Sequence, residues 1–103
     1  MSTDKIIKVA NGKAELRRLS GSFIRHIGND DTVFADLKPD GTLVLLTRAK
    51  GQVELRRESG SFVRNIGNGD AVSARFHGDD IVVQTNKGKT ELRRESGSFI
   101  RTI

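Results

Sequence analysis

One arm of this sequence occurs three times, and that repetition limits the fold more than any other feature. GKAELRRLSGSFIRHIG spans Gly12 to Gly28, GQVELRRESGSFVRNIG spans Gly51 to Gly67, and GKTELRRESGSFIRTI spans Gly88 to Ile103, at offsets of 39 and 37 residues. Between the arms lies a weaker matching half. Asp31–Leu37 corresponds to Asp70–Phe76, and Thr42–Thr47 corresponds to Asp80–Thr85 and more loosely to Lys5–Val9. The chain therefore reads as a single domain over 1–103, made of a partial repeat (1–28) and two full repeats (29–67 and 68–103).

Each full unit reads as four strands. Short stretches rich in β-branched residues are separated by turn residues. In the second unit the expected strands are Thr32–Lys38, Thr42–Arg48, Gln52–Glu58 and Ser61–Ile66. Pro39-Asp40-Gly41 separates the first two, because Pro presets φ for a turn and Gly accepts positive φ. No segment sustains a 3.6-residue apolar period, so no helix is expected. Counting gives eleven strands, with the first strand of the first unit missing. Either Met1–Asp4 contributes to it or the junction is irregular.

A four-stranded meander of about 40 residues is the blade of a β-propeller. The run Val33…Pro39-Asp40-Gly41-Thr42-Leu43-Val44-Leu45…Gly51-Gln52-Val53-Glu54-Leu55…Ser59-Gly60-Ser61-Phe62-Val63-Arg64-Asn65-Ile66 resembles a WD-repeat blade. The signature Gly-His and Trp-Asp dipeptides are absent, and Arg56-Arg57 stands where Trp-Asp would fall. The resemblance implies an all-β, propeller-like architecture with nearly three four-stranded blades, and it carries no function across. Propellers close rings of roughly four to eight blades. The expectation is thus a homo-oligomer, a dimer making six blades around a two-fold axis. The alternative is a monomeric β-trefoil, which also has three units of four strands.

Charge and composition narrow the function classes. The chain has 18 Lys+Arg against 13 Asp+Glu, a net charge of +5, and no Cys. A disulfide scaffold, a thiolate metal site and a Cys nucleophile are excluded. No apolar run approaches the roughly 18 residues of a membrane span. The first residues lack the apolar core of a secretory signal, so the expected location is cytoplasmic.

Nine of the eleven Arg lie in the arms. Arg17, Arg18, Arg56, Arg57, Arg93 and Arg94 are candidate anion-binding residues, because guanidinium forks suit phosphate and carboxylate. The competing reading is a ladder in which Glu15, Glu54, Glu58, Glu91 and Glu95 pair with them. Alternation along the strands places Glu54, Arg56 and Glu58 on one face, and Phe62, Arg64 and Ile66 together on another. His26, Asn65 and Thr102 occupy equivalent positions where the arms differ, which marks them as candidate ligand-variable positions.

His26 and His77 have no metal-binding spacing, so no metal, cofactor or catalytic residue is assigned. The functional expectation is a non-catalytic binding or interaction module of unknown ligand, whose first partner is a second copy of itself. The alternative is a basic nucleic-acid-associated protein using the Arg-rich strands, although the chain lacks Trp and Tyr for stacking bases.

Overall fold

The structure is a computed structural model that describes residues 4–103. Eleven strands follow one another: β1 (Lys5–Ala10), β2 (Lys13–Arg18), β3 (Phe23–Ile27), β4 (Thr32–Leu37), β5 (Leu43–Arg48), β6 (Val53–Arg57), β7 (Phe62–Ile66), β8 (Ala71–His77), β9 (Asp80–Thr85), β10 (Thr90–Arg94) and β11 (Phe99–Thr102). They form three antiparallel meanders: a first sheet β1-β2-β3, a middle sheet β4-β5-β6-β7 and a last sheet β8-β9-β10-β11. There is no helix among the described residues. Among the described residues, the strand count and the absence of an inner strand in the first unit agree with the sequence reading. Met1–Thr3 lie outside the described residues, and Asp4 extends the β1–β2 ladder, its carbonyl accepting from the Leu19 amide.

The sheets stack face to face, and each buries apolar side chains only against its neighbour, as repeat architectures do. Between the first and middle sheets lie Ala14, Leu16, Ile27, Val44 and Leu46. Between the middle and last sheets lie Leu45, Val53, Leu55, Ile66, Ala74, Ile81 and Val83. In β5, Val44 and Leu46 face one neighbour while Leu45 faces the other, so residues Val44 through Thr47 are all buried. Such an unbroken run is the mark of a strand covered on both faces.

Two expectations about facing are corrected by the register. Leu45 pairs with Leu55, and Val82 pairs with Leu92. Leu45 is thus equivalent to Val82, not Val83, and Leu43–Arg48 matches Asp80–Thr85. The cause is the turn. Lys38-Pro39-Asp40-Gly41-Thr42 is two residues longer than its counterpart His77-Gly78-Asp79, and the offset falls from 39 to 37 across it. A slip of one residue exchanges the two faces of a strand. The second correction comes from a bulge between Leu55 and Arg56, repeated at Leu16/Arg17 and Leu92/Arg93. It turns Phe62 onto the face of Arg56, opposite Ile66, instead of sharing a face with it.

Backbone bonds also join the sheets. The Thr32 amide donates to the Gly12 carbonyl and the Ala71 amide to the Gly51 carbonyl. Both glycines have positive φ. A Cβ on Gly51 would lie 2.4 Å from the Gly69 carbonyl oxygen, and one on Gly12 would lie 2.0 Å from that of Asp30. Only glycine permits so close an approach of two backbones.

Candidate functional site

The Arg-rich arms build the same cluster three times. Arg17 Nε donates to Glu15 Oε1 at 2.9 Å, Arg56 Nε to Glu54 Oε1 at 2.9 Å, and Arg93 Nε to Glu91 Oε1 at 3.0 Å. Each guanidinium then reaches across the arm's turn to a glycine carbonyl: Gly21 at 2.7 Å, Gly60 at 2.8 Å and Gly97 at 2.9 Å. Each also covers a phenylalanine ring, Phe23, Phe62 or Phe99, at 5.5 to 5.6 Å. The bulge puts the ring beneath its arginine. Fork, stack and turn thus form one clamp that closes the last two strands of each sheet. The Arg17 bond holds the Glu15 carboxyl below its ordinary pKa.

The six candidate anion-binding arginines therefore fall into two sets. Arg17, Arg56 and Arg93 have their guanidinium groups engaged inside the clamps. Arg18, Arg57 and Arg94 end their strands exposed. Arg18 lies 3.6 Å from Asp4, whereas Arg57 and Arg94 make no ion pair among the described residues. The glutamates divide likewise. Glu15, Glu54 and Glu91 belong to clamps, but Glu58 pairs with Lys5 of the first sheet and Glu95 with Lys38 of the middle sheet. The Glu95 carboxylate, 2.9 Å away, raises the Lys38 pKa, with Asp79 at 3.4 Å adding to it. These lysine pairs tie one sheet to the next, as do Arg25 to the Ser59 carbonyl and Arg64 to the Glu95 carbonyl.

The three variable positions share one place in the fold. His26, Asn65 and Thr102 sit across the ladder from Glu15, Glu54 and Glu91. His26 Nε2 is 3.7 Å from Glu15 Oε2 and its ring meets Phe23 edge-on at 4.9 Å. Asn65 borders a hollow of about 190 Å³ with Gln52 and the Gly67–Gly69 turn. No group of three metal-ligating side chains occurs among the described residues.

A larger concavity, about 430 Å³, was not singled out from the sequence. It lies beside β1 and is lined by Ile6, Ile7 and Leu19 of the first sheet and by Ala35, Leu37 and Pro39 of the middle sheet. The signals were present: the missing inner strand, and Leu19 at the position where the other arms carry Glu58 and Glu95.

Three stacked meanders, two of four strands and one lacking its inner strand among the described residues, define a partial β-propeller. Solved propellers agree. The chain is similar to BamB from Moraxella catarrhalis, with a TM-score of 0.76 and 15% identity over 98% of this chain and 32% of that one. It is similar to the Pan2 WD40 domain of Neurospora crassa, with a TM-score of 0.73 and 14% identity over 98% of this chain and 33% of that one. The chain thus spans about a third of each, and at this identity the likeness shows the fold. No family model and no curated protein matches the sequence.

Proposed function

We propose that the chain is a non-catalytic interaction module whose first partner is a second copy of itself, two copies giving a ring of six sheets. The observation behind this reading is the uncovered face of the last sheet. Val82, Leu92, Ile100 and Ile103 occupy the positions of Leu45, Leu55, Val63 and Ile66, which form the buried boundary one unit earlier. Ile103 is 72% exposed, whereas Ile66 is 1% exposed. On the opposite end, Ile6 takes the place of Val44 and Ile81 and is also open to solvent. Apolar faces of this kind mark interaction surfaces. Light scattering on a sizing column is the test. A mass of twice 11.3 kDa supports the reading, and a monomer at every concentration tried removes it.

A second reading has its own observation. Exposed Arg57 and Arg94, without ion-pair partners among the described residues, suit phosphate contacts. Nucleic-acid binding through them predicts a mobility shift that weakens steeply with salt and is lost in Arg57→Ala/Arg94→Ala.

A further inference from the structure

We propose that the open edge of β1 is a binding site for an extended peptide strand of a partner protein, one with alternating apolar residues and an acidic side chain. The site does not depend on the oligomeric state. Its occupant can be read from the molecule itself, because the same edge is filled one and two units further on.

In the middle sheet β4 pairs with β5, and in the last sheet β8 pairs with β9. β1 is the counterpart of β5 and β9, yet it pairs only with β2 among the described residues. The ladder bond from Leu19 to Asp4 sets the alternation, which directs the Ile6 and Lys8 amides to β2 and the Ile7 and Val9 amides to the open edge. The equivalent amides of Leu45 and Thr47 point to β4. An exposed edge of this kind accepts a strand by main-chain pairing.

The groove beside that edge is shaped for the side chains of such a strand. Ala74 of β8 is fully buried because β4 covers it, whereas its counterpart Ala35 is half-buried beside the 430 Å³ concavity. The Phe76 amide donates to Asp36 Oδ2 of β4 at 2.8 Å. Leu37 is the counterpart of Phe76, so its amide faces the groove in the same orientation. A strand filling the groove as β4 fills its own place brings a carboxylate to the Leu37 amide. Phe34 of β4 turns to the same side as Asp36 and meets Arg75 of β8 at 5.0 Å, so such a strand also turns an apolar side chain, two residues before its carboxylate, toward the groove wall.

The test uses the full chain and a synthetic peptide of the β4 sequence, Asp31–Lys38. Saturable one-to-one binding is expected. It should slow hydrogen exchange at the Ile7 and Val9 amides while leaving Ile6 and Lys8, already bonded to β2, little changed. A peptide carrying Asp36→Ala should bind about tenfold more weakly, the loss of one charge-assisted hydrogen bond. Methylation of the peptide's Phe34 and Asp36 amides, which face the ladder in β4, should abolish binding. Absence of binding overturns the proposal, as does binding that leaves Ile7 and Val9 exchange unchanged. Protection of those two amides in the chain alone also overturns it. If that protection is independent of concentration, the chain's own first residues fill the edge; if it rises with concentration, a second copy does.

Discussion

The middle sheet and the last sheet carry nearly the same arms, yet they are buried differently. β5 is covered on both faces, and its residues from Val44 to Thr47 are all buried. β9, in the same register, buries Ile81 and Val83 but leaves Val82 half-open and Gln84 exposed. At the other end β1 places Lys8 where Leu46 and Val83 stand. A strand here has no fixed inside. Its burial is decided by how many sheets lie against it; where cover is missing, Lys8 of β1 and Gln84 of β9 are polar, while Ile6 and Val82 remain apolar. The clamps behave otherwise. Their geometry is the same in all three sheets, because all of their bonds lie within one sheet. What varies is cover: the arginine side chains are 29%, 16% and 10% exposed at Arg17, Arg56 and Arg93.

The sharpest way to break this comparison is at equivalent glycines. Gly51→Ala drives a Cβ into the Gly69 carbonyl and adds left-handed strain, so the two sheets must part. The expected loss is about 4 kcal/mol or more, at the far end of single-substitution effects. Gly88 also has positive φ, but a Cβ there meets nothing within 4 Å. Gly88→Ala should cost only the backbone strain, about 1–2 kcal/mol. Urea unfolding of both variants measures the difference, and equal losses would mean that the close approach at Gly51 is unimportant.

A second pair of substitutions separates a boundary within the chain from one between chains. Leu55→Ala removes a fully buried side chain and should cost about 2–5 kcal/mol at any protein concentration. Leu92→Ala, on the uncovered face, should cost the single chain less than about 1 kcal/mol. In the proposed ring the same change removes the mass of two copies in light scattering. A Leu92→Ala protein that still pairs would show that this face is not the junction.

The contrast between the two glycines also shows what could be read without coordinates. The arms, the turns, eleven strands and the missing one were legible, because tight turns and β-branched runs are local signals. The pairing of Leu45 with Leu55 was not. It depends on a two-residue difference in a turn whose two forms, Pro39-Asp40-Gly41 and His77-Gly78-Asp79, are equally good turns. The Arg56–Phe62 contact was hidden for a related reason: strict alternation assigns Phe62 to the wrong face, and only the bulge puts it under the guanidinium. Pairing of Arg with Glu two residues away was legible. Assignment of Glu58 and Glu95 to lysines of the preceding sheet was not, since it requires knowing which sheets touch. The groove beside β1 had two local signals, the missing inner strand and Leu19 in place of Glu58 and Glu95, but joining them into one site depends on how the first and middle sheets stack.

The clamps sharpen the comparison at a smaller scale. Arg93→Lys keeps the charge but loses the fork to Glu91 and Gly97 and the cover over Phe99. In the better-buried last sheet the expected cost is about 1–2 kcal/mol. Arg17→Lys, in the most exposed clamp, should cost about 0.5 kcal/mol. Thermal unfolding of the two variants ranks them. The reverse order would show that cover by a neighbouring sheet does not strengthen the clamp.

Acid should act on the first and middle sheets before the last. Arg48 binds both Asp31 carboxylate oxygens at 3.0 Å and reaches Glu54 at 3.4 Å. The last sheet has Asp70 and Thr85 in these places, so this fork has no counterpart there. Hydrogen bonding from Arg48 holds the Asp31 carboxyl below its ordinary pKa, as Arg17 does for Glu15. A carboxyl whose pKa is lower folded than unfolded adds stability that is complete above the unfolded value and disappears as pH falls through the folded one. Both groups lie near the surface and are only partly covered, so each contribution is small. Melting temperature measured from neutral pH down through the carboxylate range should fall less steeply in Asp31→Asn and Glu15→Gln than in the parent chain. Asp70→Asn, which removes a carboxylate without such a fork, should follow the parent curve more closely. If all three variants flattened the curve equally, net charge and not the two forks would set the acid response.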